Sequence, residues 1–103
     1  MIKPKDYEEL EKYVKVGKNI FFFTADWCGD CRFIKPKISE IESKHTEYIF
    51  IEVNRDQFLD LAIKWEILGI PSFVVIENGK EIGRYVDKFH KTKEQIDSFI
   101  ENL

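Results

Sequence analysis

Phe21-Phe22-Phe23-Thr24-Ala25-Asp26-Trp27-Cys28-Gly29-Asp30-Cys31-Arg32 carries an apolar run into a turn, and the turn into a helical pattern. An unbroken run of this kind reads as a strand covered on both faces, central in its sheet and parallel to its neighbours. The turn holds both cysteines of the chain. A cysteine in the first turn of a helix meets free backbone N–H groups and the positive end of the helix dipole, which favour thiolate over thiol. Cys28 is therefore the expected nucleophile. The spacing places Cys31 about one turn further in, near enough to bond Cys28 and less exposed, so that it would resolve a mixed disulfide.

Upstream, Tyr7, Leu10 and Val14 recur at helical spacing over residues 6–16, and Gly17 is placed to end that helix; a very short strand at Ile2-Lys3 precedes it at most. Downstream, Ile34, Ile38 and Ile41 extend the second helix to about His45 with a kink at Pro36, whose ring removes a backbone hydrogen bond. Residues 48–53 read as a strand, and Phe58, Leu61, Ala62 and Trp65 as the buried stripe of a third helix. Gly69-Ile70-Pro71 interrupts the chain before a strand over residues 72–76. Asn78-Gly79 is a strong hairpin signal, turning residues 80–86 back antiparallel. Thr92 with Gln95 forms a capping box for a last helix that buries Ile96, Phe99, Ile100 and Leu103. This order predicts one α/β domain over residues 1–103, a central mixed sheet with helices on both faces. The Cys28 turn then lies at the carboxyl end of a central strand, where open α/β sheets hold their sites.

Nine Phe among 103 residues supply enough apolar surface for one core. Sixteen Lys and Arg against nineteen Asp and Glu give a charge of -3 with no basic stripe, which argues against nucleic acid as a partner. Met1-Ile2-Lys3-Pro4-Lys5-Asp6 has no signal-peptide apolar core and no run reaches membrane-spanning length, so a cytoplasmic protein with no membrane partner is expected. In a reducing compartment a close cysteine pair is redox-active or metal-bound more often than structural. Zinc would have to use Cys28, Cys31, His45 and His90, whose spacing is not that of a paired ligand set, so no metal is expected. His45 reads as closing its helix and His90 as part of a polar loop.

Trp27-Cys28-Gly29-Asp30-Cys31, Pro36, Gly69-Ile70-Pro71-Ser72 and Asn78-Gly79, in this order, resemble a thioredoxin over essentially the whole chain, and most closely the bacterial thioredoxin-like proteins with Gly-Asp inside the dithiol. The resemblance implies the thioredoxin fold, a redox-active Cys28–Cys31 disulfide and reduction of protein disulfides. It further implies that Pro71 is a cis-proline facing the dithiol, with the Ile70 backbone free to pair an extended substrate, and that Trp27 and Gly29 belong to the docking surface. The lesser alternative for Trp27 is a plain packing aromatic. The implied electron donor is thioredoxin reductase, which brings NADPH in indirectly with no cofactor bound, and the implied clients include the ribonucleotide reductase system. A monomer is expected.

Three positions depart from the family pattern. Phe22 stands where the family usually has a buried Asp beneath the resolving cysteine, and Glu52 where it has that Asp's Lys partner. Glu52 is then either a substitute proton acceptor for Cys31 or a carboxylate tipped to solvent. Asp30 opposes the Cys28 thiolate by its charge yet is favoured at a helix N-terminus, so the sign of its tuning stays open. Near Val86-Asp87-Lys88 no glycine completes the docking rim, which implies a restricted client set. The rival readings are a redox-idle binding module on the same fold and a disulfide-forming oxidase; the latter would need an oxidising compartment.

Overall fold

A computed structural model describes residues 1–103. In chain order it contains α1 (Tyr7–Lys15), β1 (Lys18–Thr24), α2 (Gly29–Ile34), a 3₁₀ turn (Lys35–Lys37), α3 (Ile38–Lys44), β2 (Ile49–Asn54), α4 (Leu59–Lys64), β3 (Ser72–Glu77), β4 (Lys80–Tyr85) and α5 (Lys93–Glu101). The sheet order is β2-β1-β3-β4. β1 is central as expected, parallel to β2 but antiparallel to β3. Ile2 adds only a parallel bridge to Ile51. No helix is long and apolar enough to cross a membrane.

Because alternate side chains of a strand point to opposite faces, the Phe run of β1 feeds two cores. Phe21 and Phe23 join Leu10 of α1, Phe58 and Ala62 on one face, with Trp65 edge-on to Phe21 at 5.4 Å. Ile20 and Phe22 join Ile34, Ile38, Ile41, Ile96 and Ile100 on the other, and Phe22 stacks on Phe73 at 5.0 Å. At Pro36 the helix is not merely kinked but interrupted by the 3₁₀ turn, since the proline ring denies the i−4 bond and clashes with the turn before it. Asn78 and Gly79 take the left-handed turn conformation (φ 49° and 86°) that their sequence signals. Thr92 and Gln95 form the full capping box of α5, but Leu103 lies beyond the helix end and is 42% exposed, not buried.

Sequence periodicity gave no warning of Asp97, a buried carboxylate on α5. His45, the C-cap of α3, places Nε2 2.9 Å from its Oδ1, while Lys93 lies 3.0 Å and Lys44 3.6 Å from Oδ2. Burial pushes the Asp97 carboxyl up, but hydrogen bonds from Lys93 and His45 outweigh it and hold the group below its ordinary 3.8. A depressed carboxyl contributes stability that is present above its ordinary value and is lost as pH falls through the lower folded value. Asp97→Asn is therefore expected to flatten the acid limb of the stability profile below about pH 4, read as unfolding midpoints against pH. An unchanged acid limb would sink this.

Candidate active site

The topology brings four chain segments to one end of the sheet. β1 ends at Thr24 and β2 at Asn54, running in parallel, while the antiparallel β3 starts there at Ser72 and β4 leaves there at Tyr85. The Trp27-Cys28 turn, Arg55-Asp56, Ile70-Pro71 and the loop after β4 are thereby neighbours without being close in sequence.

Cys28 is the N-cap of α2, and its Sγ accepts a hydrogen bond from the Cys31 backbone N–H at 3.3 Å. The same sulfur lies 3.9 Å from the Ile70 carbonyl oxygen, which the thiol can use as acceptor. Ile70–Pro71 is a cis peptide, as the resemblance implied, and both residues are buried. Both cysteines are free thiols. Cys31, 1% exposed, packs one turn inside the helix. Burial first, and then its hydrogen bond with Cys28, push the Cys31 thiol up to about 11, against smaller opposing hydrogen bonds from Thr24 and the Ala25 backbone.

Glu52 is not among the groups that act on Cys31. Its carboxylate turns instead to Lys35 at 3.1 Å and Lys3 at 3.9 Å, with 11% of the side chain exposed. Neither sequence reading describes it: it is not tipped out to solvent, and the structure does not bring it to the resolving thiol. The reason is local: the 3₁₀ turn after α2 presents the Lys35 ammonium to Glu52 Oε2, while the buried Oε1 has no hydrogen-bond partner.

Trp27 is 61% exposed, so it is not a plain packing aromatic; its indole N–H donates to Asp56 Oδ2 at 2.8 Å and fixes the ring beside Cys28. Asp30 is half-exposed, and its Oδ1 lies 3.0 Å from Nδ1 of His90, whose ring packs on Phe33. The His90 side chain thus reaches from its loop to the dithiol turn. His45 is engaged by Asp97 instead, and no three His, Cys, Asp or Glu side chains gather as a metal site.

Beside Cys28 runs a groove of about 380 Å³ lined by Trp27, Cys28, Gly29, Asp30, Ile70, by Gly69 of the proline motif and Lys88 of the altered rim, and by two residues the sequence did not single out, Arg55 and Leu68. These two sit on connecting segments, where no periodicity marks them. Gly69 is needed for close approach, because a side chain there would come within 2.5 Å of the Lys88 backbone. A larger cleft of about 760 Å³ between β4 and α5 contains neither cysteine nor the proline loop.

Fold and site together define a dithiol protein, with a Cys-x-x-Cys helix mouth faced by a cis-proline loop. The chain belongs to the thioredoxin family, whose model matches residues 2–102. It is 38% identical over 84 residues to Thioredoxin H-type 1 of Nicotiana tabacum, covering 77% of this chain and 67% of that protein. It is 37% identical over 83 residues to the TPR repeat-containing thioredoxin TDX of Arabidopsis thaliana, covering 76% of this chain but only 22% of that longer protein. The crystal structure of thioredoxin from Trypanosoma brucei brucei superposes with a TM-score of 0.86 at 19% identity, covering 99% of this chain and 88% of that one, a likeness of fold.

Proposed function

We propose that this protein is a thioredoxin-type thiol-disulfide oxidoreductase that reduces protein disulfides. The observation that carries the reading is the Cys28 sulfur, held 3.3 Å from the Cys31 N–H and 3.9 Å from the Ile70 carbonyl beside an open groove. Cys28 as thiolate attacks one client sulfur, forming a mixed disulfide and breaking the client bond; the leaving client sulfur takes up a proton. Cys31 then gives up its proton and attacks Cys28 Sγ, releasing the second client sulfur as a thiol. Two electrons pass to the client and the pair is left as the Cys28–Cys31 disulfide. Reduction of that disulfide falls to thioredoxin reductase, with NADPH as the distant donor and no cofactor bound. The working compartment is the cytoplasm, the working form a monomer, and the clients a restricted set that could include the ribonucleotide reductase system.

Insulin disulfide reduction tests the reading. The protein is expected to accelerate it over dithiothreitol alone, and in a second arm to couple it to NADPH through thioredoxin reductase. No acceleration with either donor would leave the redox-idle binding module as the better account; acceleration with dithiothreitol only would remove the reductase as donor.

A further inference from the structure

Two cations of a chain with net charge -3 line the groove beside Cys28, and the exchange chemistry uses neither. Lys88 is exposed and enters none of the ion pairs of the molecule. Its position is nonetheless fixed. The Lys88 backbone lies directly on Gly69, whose carbonyl accepts from the Ser72 hydroxyl at 2.6 Å, with the Asp87 carbonyl 3.3 Å from the same hydroxyl oxygen. Beneath the loop the fully buried Lys91 ammonium binds Asp87 Oδ1 at 2.7 Å and the Phe89 carbonyl at 3.1 Å. A lysine with no exposed surface is rare unless its charge is paired in this way, and here the pairing holds the rim that carries Lys88.

Arg55 arrives from the turn after β2, with its guanidinium 5.9 Å from the Trp27 ring centroid. Its carboxylate neighbour, Asp56, stands 3.4 Å away and commits its other oxygen to the Trp27 indole N–H. The carboxylate on the groove wall, Asp30, has its Oδ1 engaged by His90 at 3.0 Å. Two cations, of which Lys88 has no ion-pair partner, thus line the groove against the single carboxylate of Asp30, set among the exposed apolar side chains of Trp27 and Leu68, the latter 86% exposed.

Resting on the reductase reading, we propose that this groove selects client disulfides whose cysteine is flanked by acidic side chains on an extended segment. Paired along the Ile70 backbone, such a segment presents alternate side chains on one face about 6.5–7 Å apart. Flanking carboxylates can then meet Lys88 from the loop and Arg55 from the Trp27 side while the client sulfur faces Cys28.

The test uses two synthetic peptide disulfides of the same sequence, differing only in Glu or Lys at the positions two residues before and two residues after one cysteine, with insulin as reference. Wild-type kcat/KM is expected to favour the Glu peptide by about five- to tenfold at low salt, as two exposed ion pairs and charge steering allow. The preference is expected to shrink as ionic strength rises. Lys88→Glu combined with Arg55→Glu is expected to reverse the order, and Lys88→Arg to keep it. Equal rates for both peptides with an active wild type would overturn the preference alone. No reduction of either peptide or of insulin would overturn the exchange reading beneath it, and the preference with it.

Discussion

Cys31→Ser is expected to leave this protein covalently joined to its client through Cys28, while Cys28→Ser reduces exchange to the uncatalysed background. The asymmetry follows from placement. Cys28 lies at the mouth of α2 against the Ile70 carbonyl and lines the groove, whereas Cys31 is buried behind it with its thiol pushed up to about 11. A thiol so far above neutral pH is a poor first attacker, because the thiolate is the nucleophile. Within a mixed disulfide it needs only to reach a sulfur one helical turn away, where effective concentration offsets its small thiolate fraction. The check is a non-reducing gel of cell extract passed over each variant, followed by mass spectrometry of the released partners. Stable adducts with Cys31→Ser, dissolved by dithiothreitol and absent with Cys28→Ser, are the expected result; adducts on Cys31 in the Cys28→Ser protein would reverse the assignment.

The other large effect is expected from Phe22→Asp, which restores the residue the family usually carries at this place. Phe22 has no exposed surface, stacks on Phe73 at 5.0 Å and packs in the core with Ile34, Ile38 and Ile96. Removing a buried Phe side chain alone costs about 3–5 kcal/mol. The new carboxylate would also be buried, and its register partner on β2 is Glu52, a like charge already committed to Lys35. The substitution is expected to lower stability by more than about 4 kcal/mol, a large share of the roughly 5–15 kcal/mol that holds a domain of this size together. Denaturant midpoints for Phe22→Asp beside Phe22→Leu measure it. A near-wild-type midpoint for the Asp variant would mean that the core re-forms a charge site the present packing lacks.

Much of the fold was legible because it rests on local pattern. The Phe run of β1, the capping box of Thr92 and Gln95 and the Asn78-Gly79 turn each depend on residues a few positions apart, and each stands where periodicity and turn chemistry put it. The boundaries that failed are those where packing overrides pattern. Pro36 divides its helix instead of bending it, and Leu103 runs past the end of α5. Asp97 occupies a core position because two lysines from two helices and the capping His45 converge on it.

For the site, the sequence by itself determined the two sulfurs, their helix and the Ile70-Pro71 loop, since the Cys-x-x-Cys spacing and a single proline motif are properties of short segments. What only the tertiary structure decided is how those sulfurs are surrounded. Glu52 faces Lys35 and not Cys31, Asp30 is joined by a histidine sixty positions away, and Arg55 and Lys88 flank the same groove from separate turns. Charge partners of this kind are fixed by which strand ends meet at one edge of the sheet, and sequence separation carries no information about that meeting.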